Sequence, residues 1–207
     1  MIFEKNHLYH IYNQGNNRER VYYSKQNYQY FISKIQEFII PYVDILAWCL
    51  MPNHFHLMVY VNYIEMDDLS VVDSDHTYRK RSLNDSIAII LRSYTKTINN
   101  EKGRTGSLFR QKTKAVCLDP DNGIIPAWYI VKGSTMIPIQ RPDDLYPQVC
   151  FNYIHYNPVV SGLVKKISSW KYSSVHELCG AFGPKMINKQ RVEEFGLKLS
   201  SSDEFIR

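Results

Sequence analysis

The sequence predicts an α+β domain built on one antiparallel sheet, and three observations carry that expectation. His7–Asn13, Val43–Leu50 and Met51–Tyr60 are patterned as strands, Gln26–Ile40 and Ser82–Ile98 have helical periodicity, and short turn-rich stretches separate them. At 207 residues, 44% of them apolar, the chain suits a single domain with a real core.

In the first strand Leu8, Tyr9, Ile11 and Tyr12 mix with polar side chains, and Asn13-Gln14-Gly15-Asn16-Asn17-Arg18 breaks it. That loop, with Arg18 and Arg20, can offer N–H groups and guanidiniums to a phosphate, and it fits a plain surface turn equally well. Tyr28, Phe31, Ile32, Ile35, Phe38 and Ile39 recur at three- and four-residue spacing, an amphipathic helix stopped by Pro41. Val43–Leu50 reads as a central strand, and Met51-Pro52-Asn53 is short enough to turn it antiparallel into the next. Residues 62–82 are polar, acidic first and then basic, and read as a long functional loop or an insertion. Ser82 with Asp85 resembles a capping box, and Leu83, Ile87, Ile90, Leu91, Tyr94 and Ile98 mark a second helix. Lys112–Leu118 alternates as a fourth strand. The order β-α-β-β-α-β is the split βαβ signature of a ferredoxin-like sandwich, a four-stranded antiparallel sheet with both helices on one face. Beyond it, 120–142 is irregular and reads as an insertion, Pro147–Tyr156 reads as a further helix closed by Pro158, and 181–207 is a polar extension of a domain spanning 1–180.

Charge and cysteine usage narrow the class. A formal charge of +5 and a pI near 8.9 favour a polyanionic partner where basic residues cluster. Cys49, Cys117, Cys150 and Cys179 form no C-x-x-C pair, which argues against a zinc ribbon or a disulfide framework. With no secretory leader and no bilayer-length apolar run, a soluble cytoplasmic protein is expected.

Two places carry candidate chemistry. His54 and His56 are two apart in a strand, so they share one face, about 7 Å apart along it, while Phe55, Leu57 and Val59 take the other. As residues alone the pair fits a metal site or two histidines on a half-exposed face. On the sandwich they fall on the face opposite the helices, which needs a cover. Tyr153 and Asn157, four apart on a helix, lie side by side. They fit a hydroxyl beside an amide oxygen, or a packed tyrosine and a helix-end cap.

Met51-Pro52-Asn53-His54-Phe55-His56, followed about a hundred residues later by Tyr153-Ile154-His155-Tyr156-Asn157-Pro158, resembles the single-tyrosine HUH transposases, in particular the REP-associated tyrosine transposase branch. Tyr9–Arg20, Arg104-Thr105-Gly106-Ser107-Leu108-Phe109, Gly162-Leu163-Val164 and Trp170-Lys171-Tyr172-Ser173-Ser174 agree in order, so the resemblance spans roughly residues 7 to 176. It implies a ferredoxin-like catalytic domain with an additional C-terminal nucleophile helix, a divalent metal (Mg²⁺ or Mn²⁺) held by His54, His56 and Asn157, and Tyr153 as nucleophile. It implies cleavage and rejoining of single-stranded DNA beside a hairpin, through a 5′-phosphotyrosine, with the nucleophile helix acting in cis or across a homodimer. Tyr156 is the rival nucleophile, one residue off the four-residue spacing, and His155 reads as a DNA or packing residue. Gln14 stands where the family often has arginine, which weakens a phosphate role for that loop.

Arg18, Arg20, Arg79, Lys80, Arg81, Arg104, Arg110, Lys112, Lys114, Lys165, Lys166 and Lys171 are the expected phosphate contacts, with Tyr78, Phe109 and Trp170 as stacking platforms. Two other readings stand beside the transposase: a domesticated hairpin-binding protein of the same fold, and an unrelated phosphodiesterase using the two histidines and water.

Overall fold

A computed structural model describes residues 1–72, 78–119, 128–131, 135–138 and 142–200. In chain order the elements are β1 (Leu8–Gln14), α1 (Lys25–Phe38), β2 (Val43–Met51), β3 (His54–Val61), β4 (Glu65–Val72), β5 (Tyr78–Ser82), α2 (Leu83–Lys102), β6 (Lys114–Cys117), β7 (Trp128–Val131), β8 (Thr135–Pro138), α3 (Pro142–Val160), α4 (Val175–Leu178) and α5 (Lys189–Glu194). The main sheet has the order β2-β3-β1-β6, and every neighbouring pair is antiparallel. Pro52 and Asn53 alone join β2 to β3, setting Met51 opposite His54.

Burial follows the strand period. Ile11, Phe55, Leu57 and Val59 face α1 and α2, where Phe31, Ile35, Ile87, Ile90 and Tyr94 complete one core. Each helix begins with a full capping box, Ser24 with Asn27 and Ser82 with Asp85, which satisfies its first free N–H groups. Gly103 ends α2 in left-handed backbone, φ +60. On the opposite face Leu46, Cys49, Met51 and Met58 meet Cys150, Phe151 and Ile154 of α3, so α3 is the cover that face required.

Three expectations change. Residues 62–82 are not a plain loop: β4 and β5 form an antiparallel hairpin with Glu65 opposite Ser82. Its charged side chains at Asp67, Arg79 and Lys80 are exposed, so no apolar alternation marks it. Helix α3 starts at Pro142 and runs through Pro147 and Pro158 to Val160. Pro158 lies within the last turn, so the one ladder bond its missing N–H removes is near the end of the helix. The C-terminal extension is less polar in space than in sequence, because Val192 and Leu197 are buried in the α3 core and Asn188 and Arg191 hydrogen-bond Asp44. The insertion reading of 120–142 meets the β7–β8 hairpin, and its residues 120–127, 132–134 and 139–141 lie outside the described residues, as do 201–207.

His155 fastens α3 to β2. Its Nδ1–H donates to the Phe151 carbonyl at 2.8 Å, and Ser174 Oγ, which accepts the Trp48 N–H at 3.0 Å, stands 2.7 Å from its Nε2. It is a packing residue, and complete burial pushes its pKa down to about 4. A histidine held neutral in the fold takes up a proton on unfolding, so its contribution is fully present above the ordinary value near 6.5 and is lost as pH falls toward 4. The denaturation midpoint is therefore expected to fall across that window, and His155→Gln, which still donates to Phe151, to flatten the profile by up to about 1.4 kcal/mol per pH unit. Urea titrations at pH 7.5, 6 and 5 measure both; parallel profiles contradict neutral burial of this ring.

Candidate metal and nucleophile site

The β1–β3 register sets Tyr12 opposite His56 and Gln14 opposite His54, so His10, Tyr12 and Gln14 share a sheet face with both histidines. His56 is buried and His54 half-buried, their rings 4.9 Å apart at 85°. Helix α3 lays Tyr153 edge-on to His56 with ring centres 5.2 Å apart, and Asn157 Nδ2 is 3.3 Å from His56 Nε2. Asn157 also lies close enough to His54 and Tyr153 to influence both. The four side chains singled out from sequence therefore converge on one spot, with Asn157 in contact with the other three.

Burial dominates the electrostatics. It lowers the His54 pKa to about 4, with the nearby Asn157 amide opposing, and holds His56 well below its ordinary value, helped by neighbouring His54 and His10. Both imidazoles are neutral at pH 7, the state that ligates a metal. The Tyr153 phenol is pushed up to about 12 by the same burial, with the nearby Asn157 amide opposing. Tyr156 is turned elsewhere, its hydroxyl donating to the Ser200 carbonyl at 2.7 Å.

Sequence reasoning missed His10. Its Nε2 lies 2.9 Å from His56 Nδ1, it is buried, and its ring stacks on Tyr12 with centres 4.8 Å apart. The period-two pattern His10, Tyr12, Gln14 held the signal once β1 was placed beside β3. Two imidazoles and one amide oxygen make a neutral donor set that fits Mn²⁺ more readily than Mg²⁺, which prefers oxygen. A second group, His7, Cys117 and Asp119, brings its ligand atoms within 4.8 Å of one another near the far end of β1. There Asp119 Oδ1 already accepts the Leu8 N–H at 2.7 Å and His7 Nδ1 lies 3.0 Å from the Asp119 carbonyl.

The basic residues divide by location. Arg104, Arg110, Lys112 and Lys114 line one groove between α2 and the segment before β6, joined by Arg92 and Lys96, and among the described residues no carboxylate lines it. Arg92 and Lys96, four apart on the polar face of α2, were legible as a helical pair and overlooked. Arg18, Arg20, Lys165, Lys166 and Lys171 are exposed elsewhere. On the β4–β5 hairpin Lys80 stands opposite Asp67, which answers part of the 79–81 charge, and Arg81 lies over the Phe38 ring at 5.4 Å. Phe109 is no stacking platform: at 3% exposure it belongs to the helix-side core. Trp170 is half-buried and donates from Nε1 to the Leu50 carbonyl, and the Tyr78 side chain lies outside the described residues.

No family model matches this chain, and none of the curated proteins matches it in sequence. Among solved structures, a REP-associated tyrosine transposase bound to a REP hairpin superposes with a TM-score of 0.54 at 15% identity, over 88% of this chain and 86% of that one. The two chains share a fold. That neighbour is a transposase seen bound to a REP hairpin.

Proposed function

We propose that this chain is a metal-dependent single-stranded DNA endonuclease and strand transferase of the REP-associated tyrosine transposase type, working in the cytoplasm on hairpin-containing DNA. Its catalytic unit is a ferredoxin-like sandwich with α3 as nucleophile helix. The observation that carries this reading is the convergence of Tyr153 and Asn157 on His54 and His56, on a fold shared with a transposase. His54, His56 and Asn157 are the residues that would hold a divalent cation. A Mg²⁺ or Mn²⁺ bound there would supply Lewis acidity toward the scissile phosphate.

Tyr153 Oη forms the new bond to phosphorus as the P–O3′ bond breaks; the leaving oxygen gains the proton equivalent that the phenol gives up. The products are a 5′-phosphotyrosine and a free 3′-hydroxyl, and attack by another 3′-hydroxyl reverses the step and joins strands without ATP. Because Tyr153 lies against the histidines of its own chain, the geometry supports action in cis. Lys114 stands opposite Tyr12, and Tyr12 opposite His56, so a strand whose phosphates follow the basic groove reaches the imidazoles along one row of the sheet. Among the described residues no helix is long and apolar enough to cross a membrane.

The test is to incubate the protein with Mn²⁺ and end-labelled single-stranded hairpin DNA and look for an adduct that survives denaturant. An adduct is expected. Binding without cleavage points instead to a domesticated hairpin-binding protein, and cleavage without adduct to water-based hydrolysis.

A further inference from the structure

Two imidazoles ligate one cation only when both turn a bare nitrogen toward it, and a neutral imidazole has one such nitrogen. Where each proton sits is therefore part of the site. For His54 the answer comes from the loop after β1. Asn53 Nδ2 donates to the Arg18 carbonyl at 3.1 Å, which turns Asn53 Oδ1 to His54 Nδ1 at 2.6 Å. An amide oxygen only accepts, so His54 carries its proton on Nδ1 and Nε2 is bare. Arg18 presents that carbonyl from left-handed backbone, φ 60, and the Gly15 N–H ties the same loop to the Asn53 carbonyl at 2.8 Å. A Cβ at Gly15 would run into the Glu19 carbonyl, so the close approach requires glycine.

For His56 the chain of donors begins on α3. Ser161 Oγ donates to Asn157 Oδ1 at 3.4 Å, which leaves Nδ2 to donate to His56 Nε2 at 3.3 Å. Nε2 thus accepts, and the His56 proton lies on Nδ1, 2.9 Å from His10 Nε2. His10 is buried on the site face and stacked against Tyr12, where an apolar side chain would pack without the cost of desolvating an imidazole.

We infer that His10 is a positioning residue for the metal site: its Nε2 accepts the His56 Nδ1 proton and keeps the His56 Nε2 lone pair directed at the cation, as the Asn53 amide does for His54. The inference rests on the metal-site reading above. It makes the sheet face a row of two imidazole ligands, each with its outer nitrogen engaged by a different acceptor. A partner on the outer nitrogen of a ligating histidine is worth about ten- to a hundred-fold in metal affinity.

The experiment records long-range ¹H–¹⁵N spectra of histidine-labelled protein without metal, then titrates Mn²⁺. In the wild type both His54 and His56 are expected to show a protonated Nδ1 and a bare Nε2. In His10→Phe the His56 pattern shifts toward a protonated Nε2, His54 stays as it was, and Mn²⁺ affinity falls ten- to a hundred-fold. His10→Gln, whose Oε1 can accept the same proton, restores the His56 pattern and most of the affinity, which a purely packing role for His10 would not produce. A wild-type His56 protonated on Nε2, or a His10→Phe protein with unchanged pattern and affinity, overturns the inference. Wild-type protein with both rings protonated on Nδ1 that takes up no Mn²⁺ overturns the metal-site reading instead, while supporting His10 as the residue that sets the His56 tautomer.

Discussion

Tyr153→Phe is expected to abolish the covalent DNA adduct altogether and to lower hairpin nicking by at least about 10⁴-fold, because the substitution removes the only atom proposed to bond phosphorus. The fold is expected to lose less than about 1.5 kcal/mol, since the hydroxyl's contact with Asn157 disappears and the ring keeps its place against His56. DNA binding and Mn²⁺ uptake are expected to stay within a few-fold of wild type, because the substitution alters neither the basic groove nor the imidazoles. Tyr156→Phe is the matched control: its hydroxyl is occupied by the Ser200 carbonyl, so adduct formation persists. Gel analysis of the adduct, with thermal unfolding of each variant alongside, decides between the tyrosines. Nicking that survives in Tyr153→Phe at wild-type rate refutes the assignment.

Burial raises the Tyr153 phenol to about 12, so on the proposed mechanism the hydroxyl keeps its proton until substrate is bound. At neutral pH its proton stays on, and Asn157 steadies the charge that would develop on Oη. The same burial keeps His54 and His56 neutral, so one physical cause acts on both the proposed ligands and the proposed nucleophile.

The parts of this molecule that were legible in the sequence are those where burial imposes a period. Phe55, Leu57 and Val59 alternate because one side of β3 lies under two helices, and the same alternation sends His54 and His56 the other way. Tyr153 and Asn157 were legible as a helical pair because α3 keeps its turn between them. The β4–β5 hairpin was not, because its described side chains at residues 65–67 and 79–80 are exposed and no apolar period is written along it. His10 was invisible for a different reason: its significance is a distance across a strand pair, 2.9 Å to His56, which no local pattern encodes until the register is known. Phe109 failed as a DNA contact because its basic neighbours suggested a surface, whereas Leu108 and Phe109 turn inward to close the helix-side core.

Phe31→Ala is expected to cost about 4 kcal/mol, which for a chain of this size lowers the melting temperature by roughly 10 °C. Phe31 is 1% exposed and sits within 5.0 Å of the Tyr94 ring centre and 5.3 Å of those of Tyr22 and Phe55, with Phe109 at 6.2 Å. Four aromatic neighbours on four different segments cannot all move inward to fill the space, so most of the cavity persists and its cost adds to the lost burial. The effect should reach the site, because Phe55 stands between His54 and His56 on β3 and loses its packing partner beneath the sheet. Calorimetry gives the stability loss, and Mn²⁺ titration well below the new melting temperature gives the coupling. If affinity is unchanged in a protein destabilised by this amount, the imidazoles are held by Asn53, His10 and α3 without help from the helix-side core; a several-fold loss shows that the two faces of β3 are mechanically linked.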